Sequence, residues 1–154
     1  MGIDPGYGRL GIAVIERSGG ETLLYSECFT TKAGLPFALR LKEVGGRVKV
    51  LIKKWKPDRV ALESLFFSKN QKTAMEVSAT RGVIMYEARN AGLPVFEYTP
   101  VEIKVATTGY GRSDKRQIKA MVDRLIAVHK KIAYDDEYDA IATALTCAAR
   151  EKTS

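Results

Sequence analysis

The chain has 154 residues, 25 of them Lys or Arg against 18 Asp or Glu, for a net charge of +7 and an isoelectric point near 9.4. That length fits one domain and can bury a core without disulfide or metal staples, while the charge favours a polyanionic partner over an acidic one. Cys28 and Cys147 lie too far apart to form a metal-spaced pair, no apolar run reaches membrane-span length, and no leader opens the chain, so a reduced, cytoplasmic protein with no membrane association is expected.

Met1 to Ile3 reads as a first strand running into Asp4-Pro5-Gly6-Tyr7-Gly8, a carboxylate at a strand end followed by a glycine-rich turn. A second strand over 11–16, a Ser18-Gly19-Gly20-Glu21 hairpin signal and a third strand over 22–31 complete an opening meander. From Pro36 the apolar spacing turns helical, with Phe37, Leu41, Val44, Val48, Leu51 and Trp55 on one face to about Lys56. Gly45-Gly46 inside it predicts a bend or a close neighbour, since each glycine weakens a helix by roughly 1 kcal/mol relative to alanine.

Val60-Ala61-Leu62 is apolar without alternation, as in a strand covered on both faces, and it ends in Glu63. A carboxylate at that edge of an open α/β sheet needs a partner, a metal or water. A helix follows over 69–90, stopped by Gly92 and Pro94; its stripe of Ala74, Ser78 and Gly82 lets another backbone come near, with the sheet of the same chain slightly preferred over a second copy. A short strand over 94–98, one or two helical turns over 100–106 and a flexible loop over 107–111 come next. Ser113-Asp114 caps a helix expected to reach about Lys130, and a last helix starts near Asp135-Asp136. His129, beside Lys130 and Lys131, suits a solvated or helix-capping role.

The order β-β-β-α-β-α-β-α-α, with acids ending the first and fourth strands and on the last helix, resembles the ribonuclease H-like nuclease fold, a five-stranded mixed sheet flanked by helices. In that fold Asp4 and Glu63 lie on neighbouring strands. Asp136 and Asp139 are three residues apart and share a helix face, Glu137 points elsewhere, and Asp135 competes with Asp136 for the role. Four converging carboxylates repel one another unless divalent cations neutralise them, and oxygen-only ligation suits Mg²⁺ or Mn²⁺. Two such ions could hold the attacking water and the leaving oxygen of a phosphodiester.

The segments Gly2-Ile3-Asp4-Pro5-Gly6, Leu62-Glu63 with Phe66-Phe67, Lys69-Asn70, Val95-Phe96-Glu97-Tyr98, Lys104, Gly109-Tyr110-Gly111 with Lys115, and Asp136-Glu137-Tyr138-Asp139-Ala140-Ile141-Ala142 resemble the RuvC family of Holliday-junction resolvases over nearly the whole chain. The resemblance implies a single nuclease domain over 1–154 that cuts two strands of a four-way DNA junction symmetrically. It also implies Asp4, Glu63, Asp136 and Asp139 as catalytic and metal-binding acids, with two Mg²⁺ per subunit and Mn²⁺ able to substitute. Phe66 and Phe67 would stack on crossover bases, and Lys69, Lys104 and Lys115 would contact phosphates. A homodimer with a branch-migration motor as partner completes the expectation.

The residues agree. Adjacent aromatics past a catalytic strand suit base stacking, worth ~1–3 kcal/mol per base, although Phe67 is equally suited to the core. Lys104, Arg112, Lys115, Arg116 and Lys119 form a basic stretch near Tyr110. Only two residues precede Ile3-Asp4, fewer than in the family, so the first strand is expected to be short and the chain trimmed ahead of it. Three other readings compete. A YqgF-type nuclease of RNA processing would differ in substrate. A sugar kinase or actin-like ATPase shares the glycine turn but needs two lobes, and a non-catalytic junction-binding module would not keep four costly acids.

Overall fold

A computed structural model describes residues 1–64 and 71–151. Five strands, β1 (Gly2–Asp4), β2 (Arg9–Arg17), β3 (Glu21–Thr30), β4 (Val60–Glu63) and β5 (Val95–Tyr98), form one sheet in the order β3-β2-β1-β4-β5. The opening meander is antiparallel, whereas β1, β4 and β5 run parallel. The sheet is therefore mixed, as expected, and the parallel half aligns the carboxyl ends of β1 and β4.

Each face of the sheet carries its own core. Ile3, Ile12, Val14, Val60 and Leu62 point to one face, where α1 (Phe37–Trp55) and α2 (Gln71–Asn90) cover them with Val44, Val48, Leu51 and Ile84. Ala13 and Ala61 point to the other, under α3 (Pro100–Thr108), α4 (Lys115–Leu125) and α5 (Asp135–Arg150). The alternation along β1, β2 and β4 thus separates large residues on one face from small ones on the other.

Those small residues seat α5. A Cβ on Gly2 would stand 2.4 Å from the Ala140 carbonyl oxygen, and one on Gly11 only 1.8 Å from that of Asp136. Glycine in a strand marks such a close backbone approach, so α5 lies directly on β1 and β2. Every residue from Ala140 to Cys147 is buried, the mark of a helix packed on all sides.

Several expectations change. The segment 100–106 is a full helix, started by a capping box between Thr99 and Glu102 and running to Thr108, so Thr107 and Thr108 are helical. The turn after it is braced rather than flexible: Gly109 ends the helix at φ 76°, and Ser113 Oγ donates to the Tyr110 carbonyl at 2.6 Å. Helix α4 does begin on Asp114, in a capping box with Gln117, but stops at Leu125 because Ile126 turns extended and enters the core. His129 is exposed in the segment beyond it.

Gly45 has its close neighbour, the Val83 side chain of α2, 2.8 Å from where a Cβ would sit, while Gly46 faces open space. On α2 it is Thr80, Ile84 and Ala88 that turn inward. Ser78 and Gly82 face out, with nothing within 4 Å of a Cβ on Gly82, so the small-residue stripe does not pack on its own sheet. Both cysteines are free, and among the described residues no helix is long and apolar enough to cross a membrane.

Candidate active site

The register of β1 on β4, Gly2 beside Ala61 and Ile3 beside Leu62, brings the strand ends Asp4 and Glu63 together on the α5 face. The two carboxyl groups act directly on each other's ionisation. Helix α5 carries Asp136 and Asp139 in its first two turns over the same edge, because Gly11 lets the Asp136 backbone rest on β2.

Each acid has a cationic neighbour. Arg9 Nε lies 3.2 Å from Asp136 Oδ2, and its guanidinium is stacked 5.1 Å over the Tyr134 ring. Lys115 Nζ lies 3.4 Å from Asp135 Oδ2 and 3.9 Å from Asp139 Oδ2. Lys115 opens α4, whose first-turn amides add partial positive charge at the same place.

A cavity of about 430 Å³ opens between α3, α4 and α5, with Glu63, Lys104, Lys115 and Asp139 on its walls. A second, of about 270 Å³, lies on the other side of Glu63 and is lined by Asp4, Glu63 and Arg81. Asp4 and Glu63 therefore stay partly solvent-accessible while being crowded by protein.

The electrostatics follow from that crowding. Burial, then the charges of Glu63, Asp139 and Asp136, hold the Asp4 carboxyl well above the usual carboxylate range, with Lys115 pulling it back. Burial and Asp139 raise Glu63 against the Asp4 hydrogen bond and the charges of Lys104 and Lys115. Asp139 is raised by burial, countered by Lys115 and Lys104 and reinforced by Asp135 and Asp136. Burial draws Lys115 down, but Asp139, Asp135 and Asp136 outweigh it and leave its ammonium raised.

Among the described residues no three acidic, histidine or cysteine side chains close on one point as a metal-binding group. Asp136 and Asp139 are turned instead to Arg9 and Lys115. The donor set still fits a hard cation: it is oxygen-only, and its members raise one another for want of positive charge.

The structure thus brings Asp4, Glu63 and Asp139 together, with Asp136 at the Arg9 side and Lys104 and Lys115 across the cleft. Asp135 is the more exposed of its pair, at 65% against 24% for Asp136, and only Asp136 acts on Asp4. Arg116 is exposed and lines neither cavity. Phe66, Phe67 and Lys69 lie outside the described residues. Sequence reasoning missed Arg9, which no periodicity singles out, and Arg81, which forms an ion pair with Glu97 beside Asp4. It also missed the burial of Glu137.

Residues 1–147 match the family model described as crossover junction endodeoxyribonuclease RuvC. The crossover junction endodeoxyribonuclease RuvC of Moorella thermoacetica is 42% identical over 146 residues, covering 94% of this chain and 87% of the relative. Among solved structures, T. thermophilus RuvC in complex with Holliday junction substrate superposes with a TM-score of 0.89 at 32% identity, covering 96% of this chain and 90% of that one. The yeast mitochondrial Holliday junction resolvase Ydc2, at 12% identity and a TM-score of 0.69 over 94% of this chain and 75% of its own, shares the fold.

Proposed function

The chain belongs to the RuvC family of crossover junction endodeoxyribonucleases, and from that premise we propose how its residues resolve a four-way DNA junction. Its function is that of a Holliday junction-resolving endonuclease in DNA recombination and repair. Residues 1–154 act as one ribonuclease H-like nuclease domain, with Asp4, Glu63, Asp136 and Asp139 as the catalytic acids that hold divalent cations. Those four carboxylates would hold two Mg²⁺ per subunit, or Mn²⁺ in their place, whose chemistry would be to supply positive charge for activating water and stabilising a leaving oxygen.

Lys104 and Lys115 bind backbone phosphate in the cleft they share with Glu63 and Asp139, and the α4 amides add to that attraction. Lys69 and Arg116 extend the contact along the strand, and Phe66 and Phe67 stack on bases at the crossover. Lys115 and Arg9, which pair with Asp139 and Asp136 here, would be free to face phosphate with those carboxylates engaged by cations. The outward stripe of α2 joins two copies, so that one junction meets two sites, and a branch-migration motor delivers the junction.

The observation that carries this reading is the crowding of Asp4, Glu63 and Asp139, each raised first by burial and each by at least one neighbouring carboxylate, opposite two lysines. Asp139→Asn tests it, because the change keeps size and helix position while removing one negative charge. Cleavage of a synthetic four-way junction in Mg²⁺ should fall by orders of magnitude, as for a group acting in the transition state. Junction affinity in metal-free buffer should stay equal or rise slightly. Asp136→Asn should behave alike and Asp135→Asn be nearly silent. Parent-rate cleavage by folded Asp139→Asn, or equal cleavage of linear duplex by the parent, would sink the assignment.

A further inference from the structure

Glu137 sits between the two acids of α5 and is only 5% exposed. A carboxylate in the first turn of a helix ordinarily stays in water, and burying it is unfavourable unless it is paired and hydrogen-bonded. Its Oε1 accepts a hydrogen bond from Ser26 Oγ at 2.6 Å and forms an ion pair with Lys130 Nζ. Lys130 Nζ also donates to the Ser26 carbonyl at 2.6 Å. One ammonium therefore ties the segment after α4 to β3 and to α5, and Glu137 closes the loop through the Ser26 hydroxyl.

The position of this knot determines where the neighbouring acids point. Ser26 pairs with Ala13 in the sheet, two residues along β2 from Gly11, on which the Asp136 carbonyl rests. Side chains on a helix turn by about 100° per residue. With Glu137 fixed toward β3, Asp136 and Asp139 are both rotated away from β3 and toward the Asp4 side. If α5 slipped or rotated, both would leave Asp4 together.

We propose that the Glu137–Ser26–Lys130 knot positions Asp136 and Asp139 for divalent-cation binding, which makes Glu137 a positioning residue of the nuclease site. This rests on the reading of Asp136 and Asp139 as cation-holding acids. Charge and position predict opposite signs at Lys130. Removing a nearby positive charge should tighten a cation site by Coulomb attraction alone, whereas loosening the knot should weaken it.

The experiment is a Mn²⁺ titration of the DNA-free protein followed by electron paramagnetic resonance, with circular dichroism verifying the fold. Lys130→Met should raise the Mn²⁺ dissociation constant by about tenfold, the scale on which supporting groups around metal ligands act, and Lys130→Arg should restore it. Ser26→Ala, which deletes only the hydroxyl, should weaken Mn²⁺ in the same direction and decides the matter if Lys130→Met does not fold. Asp139→Asn is the control. If it leaves Mn²⁺ binding unchanged, the reading of the acids fails and the knot falls with it. If Asp139→Asn weakens Mn²⁺ while folded Lys130→Met binds it as tightly as the parent or tighter, or Ser26→Ala binds it unchanged, the knot alone is overturned.

Discussion

Asp4 is the residue on which the site's repulsions converge, since burial and three carboxylates all raise it against the charge of Lys115. Its folded pKa lies above its unfolded value, as do those of Glu63 and Asp139, so the native state binds more protons than the unfolded chain in the window between the two. Stability therefore falls as pH rises from the ordinary carboxylate range through the raised folded values, and above them the full penalty is present. Metal-free protein should accordingly melt at a higher temperature in mildly acidic buffer than at neutral pH, and saturating Mg²⁺ should shrink that difference. Asp4→Asn should remove most of it: a gain of even about 1 kcal/mol raises the melting temperature by roughly 2–4 °C in a chain of this size, while junction cleavage is lost. Metal-free scanning calorimetry of parent and variant at two pH values is the measurement, and an Asp4→Asn protein less stable than the parent at neutral pH would contradict the repulsion.

At the scale of elements, the site exists because α5 can lie against bare backbone. Gly2 and Gly11 occupy alternate positions on the α5 side of β1 and β2, and a methyl at either would meet α5 backbone at 2.4–2.5 Å or 1.8 Å. Gly11→Ala should therefore push the first turn of α5 away, costing about 1–3 kcal/mol as overpacked cores do and lowering cleavage through Asp136 beyond what the lost stability explains. Urea denaturation with junction assays below the transition separates the two effects; parent-like stability and cleavage would show that α5 adapts freely. The opening meander, the neighbouring β1 and β4 and the acids at their ends were legible because parallel crossovers follow a restricted topology and apolar runs mark buried strands. The full length of α3 was hidden by its Thr107-Thr108 end, and the early stop of α4 by Ile126, whose apolar side chain extends the helical pattern although it enters the core from an extended backbone. Arg9 and the burial of Glu137 were hidden for a different reason: both depend on which strand lies opposite, and a charged residue read along its own element looks solvated.

At the scale of the whole molecule, the outer face of α2 carries the two most exposed large apolar side chains among the described residues. Met75 is 72% and Tyr86 66% exposed on either side of Gly82, where a Cβ would meet nothing within 4 Å. Apolar residues grouped this way mark an interaction surface, and a second copy meeting it about a two-fold axis would use the same stripe on both sides. Gly82→Gln separates folding from association. Glycine inside an exposed helix turn is less favourable than glutamine by roughly 0.5–1 kcal/mol, and the open space around Gly82 leaves room for the new side chain, so each subunit should fold at least as stably as the parent. Between two helices packed backbone to backbone the same side chain would hold them apart. If this face joins two copies as proposed, sedimentation velocity across a concentration series should show a folded monomer at concentrations where the parent sediments as a dimer, and junction cleavage should lose its pairing, with single nicks in place of two symmetric cuts. A Gly82→Gln protein that sediments as a dimer at the parent's concentrations would place the interface elsewhere.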